Sequence, residues 1–134
     1  MTMLRIIAAA ALALGASAAR ADSYAAVSNT AMSITGDIEF DDFSIVFANG
    51  EELVFSELVA DNFVVDGKRV PASVYSIEEP ADPILENGNR LCGAGDVTYL
   101  ANWAGSDNLS IIAVFTTQDA PASDAEMCAS YTYE

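Results

Sequence analysis

Two cysteines, 20 carboxylates and no histidine set the chemical repertoire of this chain. Without an imidazole it lacks the usual general base near neutral pH, the commonest zinc and copper ligand, and the usual pH switch. A serine triad has no base here, and no Gly-x-Ser-x-Gly elbow is present. Paired carboxylates are the chemistry that remains. They hydrolyse glycosides only when held across a cleft that grips a sugar, and a short chain with one Trp has few means of gripping one. The expectation is a protein that is not an enzyme and uses no cofactor. Cys92 and Cys128 are too far apart for the C-x-x-C of a redox pair. They fit a single structural disulfide in an oxidising compartment. Closing that loop would stabilise the fold by roughly 4 kcal/mol through the entropy removed from the unfolded chain.

Two segments hold the other candidate side chains. Asn87-Gly88-Asn89-Arg90-Leu91-Cys92-Gly93 combines loop-forming glycines, a pinning cysteine and the sole cation after position 69. Long loops on a rigid scaffold often carry binding, so Asn87, Asn89 and Arg90 form a candidate recognition loop. The plainer alternative is that Arg90 neutralises nearby carboxylates such as Glu86 or Asp96. The densest acidic run places Asp37, Glu39, Asp41 and Asp42 within six positions. Hard oxygens at alternating positions are calcium ligands by type. The further oxygens, the sixth-position glycine and the late Glu of a calcium loop are missing, so a solvated strand face with a polar bulge is the favoured reading. Gly93-Ala94-Gly95 begins like a dinucleotide fingerprint but lacks the third glycine and a following helix. Asn108-Leu109-Ser110 is a glycosylation sequon that only a eukaryotic source would use.

Positions 1–21 read as a bacterial Sec signal peptide. Arg5 precedes a wholly apolar, alanine-rich run from Ile6 to Leu14, and Ala19 and Ala21 fit the small-x-small rule for cleavage near Ala21. The run is too short to span a hydrocarbon core of ~30 Å, so no membrane anchor is expected. No cysteine stands at the junction for lipidation, and no Arg-Arg pair precedes the run. The expected destination is the periplasm or the outside medium, and 22–134 should form one acidic β-rich domain.

The elements that must position these residues are strands. Asn49-Gly50 and Asp66-Gly67 each lie between apolar, β-branched runs and supply the positive φ of tight turns. Val97 to Trp103 and Leu109 to Thr117 flank a longer polar loop, Cys128 to Tyr133 ends the chain as a strand, and Tyr24 to Ile34 is a candidate first strand. Ile38 and Phe40 alternate on one parity, but Phe43, Ile45 and Phe47 continue on the other. A bulge or tight turn is therefore expected at Asp41-Asp42. Pro71 should delay its strand or hold it at an edge. Asp82-Pro83 can start one helical turn through Glu86. Trp103, Tyr99, Tyr131 and Tyr133 fall on expected strands and should fill the core. The fold expected is a small antiparallel β-barrel or sandwich of seven to nine strands.

Charge narrows the partners. Arg5 and Arg20 fall within the leader, which leaves Lys68, Arg69 and Arg90 against all 20 acidic residues and moves the net charge from −15 to −17. Such a surface repels nucleic acid and anionic lipid and attracts cationic proteins. In outline, a small exported acidic β-barrel with a disulfide resembles the bacterial lysozyme inhibitors. The resemblance is architectural and implies an inhibitor of a cationic hydrolase, with no site residue carried over. A carrier of a small apolar ligand is the alternative if the barrel encloses a cavity.

Overall fold

The computed structural model describes residues 22–134, so the expected signal peptide lies outside the described residues. Eight antiparallel strands follow one another in chain order: β1 (Asp22–Tyr24), β2 (Ile38–Phe40), β3 (Ser44–Val46), β4 (Glu52–Val65), β5 (Lys68–Ala81), β6 (Val97–Ala104), β7 (Ser110–Phe115) and β8 (Ala129–Tyr133). The chain just after β1 returns to β8. Ala25 and Glu134 exchange backbone hydrogen bonds of 3.1 and 2.9 Å, and the Val27 N–H donates to the Thr132 carbonyl at 3.0 Å. The sheet is thereby nearly closed into an up-and-down barrel, the first of the two architectures expected.

Turn chemistry explains the joints. Asp66 and Gly67 take φ of 51° and 80°, and Val65 pairs with Lys68 across them. That is the two-residue hairpin expected of an Asp-Gly pair. At Asn49-Gly50 the connection is longer, with the Phe47 N–H donating to the Glu51 carbonyl at 2.9 Å. The parity slip at Asp41-Asp42 is a tight turn between β2 and β3. One oxygen of Asp41 accepts from the Phe43 and Ser44 N–H groups at 2.7 and 3.0 Å, an Asx-type closure. The slip lets Ile38, Phe40, Ile45 and Phe47 all be buried while Phe43 is left 65% exposed.

The expected first strand, Tyr24 to Ile34, is mostly something else. Strand geometry stops at Tyr24, and Ala31–Thr35 forms a single π-helical turn, buried at Ala31 and Thr35. Five residues are too few to print a helical period on a sequence. Gly36 ends the turn with φ 65°, and a Cβ there would meet the Ala48 Cβ at 2.5 Å. Both the conformation and the close approach require glycine.

Phe55 and Phe63 share a parity on β4 yet face opposite ways. Phe55 pairs with Ile77 and lies in the main core, whereas Phe63 pairs with Val70 and lies in a second cluster. Three register shifts between Phe55 and Asn62 cause the change of face. They also join into one 14-residue strand what the sequence suggests as two shorter ones. Pro71 sits at the last of these shifts, opposite Asn62.

The barrel interior is filled. Phe40, Phe55, Tyr75, Leu100, Ile112, Tyr131 and Tyr133 pack together there. Phe55 stacks on Tyr75 at 4.3 Å between ring centres, and Phe40 meets both edge-on at 5.8 and 6.2 Å. Residues of the opposite parity, including Val74, Ala101, Trp103 and Phe115, are also buried. The outer half of the β4–β5 hairpin supplies their cover. Phe63 lies 5.4 Å from Trp103 and 5.8 Å from Phe115. The hairpin is held down where the Val64 N–H donates to the Ala122 carbonyl at 3.0 Å.

Candidate functional site

The recognition-loop candidates belong to the β5–β6 connection, which is tied down from several sides. Asp82 is its organising residue. Its two carboxylate oxygens accept from the Cys92 and Gly93 N–H groups at 2.8 and 2.9 Å. The expected helical turn from Asp82 does not form: that carboxylate is engaged across the loop rather than accepting from the N–H groups of Ile84 or Leu85. A 3-10 turn at Glu86–Gly88 takes its place. Arg90 donates from Nη1 to the Asp82 carbonyl at 2.9 Å. Asn87 and Asn89 both donate from Nδ2 to the Ser33 carbonyl, at 2.9 and 3.2 Å. The three predicted residues are thus brought together, each with a bond to the protein's own backbone, and all three remain exposed. The Arg90 bond uses one of five guanidinium N–H groups.

Cys92 and Cys128 form the expected disulfide, with their Cα atoms 5.8 Å apart. It fixes this loop to the residue before β8. Beside it, the Tyr131 hydroxyl donates to the Leu91 carbonyl. Burial, with a smaller contribution from the Asp82 charge, pushes the Tyr131 phenol up to about 12.

The acidic run from Asp37 to Asp42 is dispersed by its own local structure. Asp37 accepts from the Ala26 N–H at 2.9 Å, and Asp41 closes the β2–β3 turn. Asp42 accepts from the Tyr75 hydroxyl at 2.9 Å, while Glu39 is exposed on β2. Burial first, then that bond to Asp42, raise the Tyr75 phenol to about 12. Among the described residues no three or more Cys, Asp or Glu side chains are grouped so as to hold a metal ion.

A third feature escaped sequence reasoning. The β4–β5 ladder begins at Phe55–Ile77, so Glu52 to Val54 of β4 pair with β3 alone. On β5 the pairing with β6 jumps from Ser76–Tyr99 to Ala81–Val97, which leaves Glu78, Glu79 and Pro80 in a wide bulge. The two strands therefore part at this end of the barrel wall. Between them lies a groove of about 330 Å³ lined by Glu52, Leu53, Val54, Glu78, Glu79 and Ala81. Two glutamate doublets, Glu51-Glu52 and Glu78-Glu79, were the available signal. Only the strand register shows that they meet.

No protein-family model matches the chain, and neither the curated proteins nor the solved structures give a significant match.

Proposed function

We propose that residues 22–134 act as an exported, non-enzymatic binding domain whose partner is a cationic protein, a basic hydrolase such as lysozyme being the specific form of this reading. The observation that carries it is the division between the two sides of the barrel wall. The inside is packed with aromatic and aliphatic side chains, while the net charge of −17 falls to the outside. A filled interior favours recognition at the outer surface over storage of an apolar ligand in the lumen. A strongly anionic surface accelerates encounter with a cationic partner and makes the association rate fall with salt. The absence of His supports the non-enzymatic part of the reading. The Arg90 loop is a second contact region under this proposal, because a disulfide and the Asp82 carboxylate hold it in one shape.

The test is lysozyme turnover and binding at low salt, with and without the mature protein. Binding that weakens steeply as salt rises is expected. Unchanged turnover removes the inhibitor form of the reading. No binding of lysozyme at any salt removes the cationic partner altogether.

A further inference from the structure

Resting on that reading, we propose that the groove between the parted ends of β4 and β5 receives a lysine or arginine side chain of the cationic partner. The groove is a gap in the barrel wall, since Glu52 to Val54 and Glu78 to Pro80 have no register partners in one another. Its lining is of two kinds. Val54 and the partly buried Ala81 are its accessible apolar residues, Leu53 being buried in the core, and Glu52, Glu78 and Glu79 carry carboxylates. That combination matches a long basic side chain, whose aliphatic stem packs on apolar surface while its charged head meets carboxylates.

Size and spacing exclude a simpler occupant. About 330 Å³ is far more than a bare ion fills, and these carboxylates do not converge as metal ligands do. Among the described residues the two arginines are engaged elsewhere: Arg69 donates to Asn62, and Arg90 donates to the Asp82 carbonyl. Val54 is 44% exposed beside the groove, an apolar surface that an inserted stem would cover. Insertion also gives the association a short-range component. Surface charge alone acts mainly on the association rate, whereas a seated, desolvated pair slows dissociation.

The experiment compares two triple variants of equal charge change. The first is Glu52→Gln with Glu78→Gln and Glu79→Gln. The second is Asp66→Asn with Asp107→Asn and Asp119→Asn, three exposed turn or loop carboxylates outside both the groove and the Arg90 loop. Lysozyme is the probe, association and dissociation rates are read at low salt, and near-ultraviolet circular dichroism confirms that both variants fold. The groove variant should bind about tenfold more weakly or worse, mostly through faster dissociation. The loop variant should lose less than about threefold, mostly through slower association. Equal losses in both variants would overturn the groove while leaving the charge-steered reading intact. Failure of the unmodified protein to bind lysozyme would overturn both.

Discussion

The Tyr133 hydroxyl lies 2.7 Å from the Thr35 hydroxyl, and both residues are buried. The pair joins the last strand to the π-helical turn across 98 positions of sequence. Thr35 is also 2.8 Å from the Gly36 carbonyl, which can take its proton. In that arrangement Tyr133 donates to Thr35 and Thr35 donates onward. Thr35→Val removes the acceptor and leaves a buried phenol without a partner, which costs about 1–3 kcal/mol. Tyr133→Phe should cost less, about 0.5–1.5 kcal/mol, because the Thr35 hydroxyl keeps its bond to the Gly36 carbonyl and loses only a donor. The double variant should cost less than the sum of the two, because no orphaned group remains. Urea unfolding of the four proteins checks this, and strict additivity would mean that the two hydroxyls do not interact.

The disulfide lends itself to a second measurement. Cys92 and Cys128 close a loop with a sequence separation of 36, and the bond anchors the Arg90 loop to the start of β8. Replacing both by serine should lower stability by roughly 4 kcal/mol, chiefly through the unfolded chain. Much of the loop should keep its shape in that variant, since the Asp82 carboxylate still accepts from residues 92 and 93. Urea unfolding gives the first quantity. Amide exchange at positions 92 and 93 gives the second, and complete loss of protection there would show that the disulfide alone shapes the loop.

Local rules made the strands, the Asp66-Gly67 hairpin and the Asp41 turn legible in the sequence, because each depends on a few adjacent residues. The disulfide was legible because only two cysteines exist. What covers the outer face of β5 to β7 was not. The run Ser110–Phe115 is apolar on both parities and announces burial on both faces, but nothing in it names the cover. That cover depends on the bulges of β4, which turn Phe63 toward Trp103. Bulges depend on how one strand meets another, so no window on a single strand reveals them. The groove was hidden for the same reason, since Glu52 and Glu78 become neighbours only where the ladder between their strands fails.

Phe63 offers a direct check on that outer cluster. It is 1% exposed and touches the ring systems of both Trp103 and Phe115. Phe63→Ala should cost about 3–5 kcal/mol. As Trp103 is the chain's sole tryptophan, its fluorescence reports on this cluster alone. A red-shifted emission in the folded variant is expected as water reaches the indole. An unshifted spectrum together with a cost below about 1 kcal/mol would show that the hairpin does not cover Trp103 in solution.

Alkaline pH tests the interior. Burial raises the phenols of Tyr75 and Tyr131 to about 12 and pushes that of Tyr133 up as well, against about 10 in an unfolded chain. The folded protein therefore holds its phenolic protons more tightly than the unfolded one. Between pH 10 and 12 the folded state binds more protons, so stability falls as pH rises. The contribution of these tyrosines is fully present below pH 10 and is lost as pH climbs toward 12. A spectrophotometric titration should show part of the phenolate absorbance appearing only above about pH 11, together with loss of near-ultraviolet circular dichroism. Tyr133→Phe removes one such group. Its unfolding free energy should then change less between pH 9 and pH 11 than that of the unmodified protein. Equal pH dependence in the two proteins would mean that Tyr133 ionises in the folded state as readily as in the unfolded one.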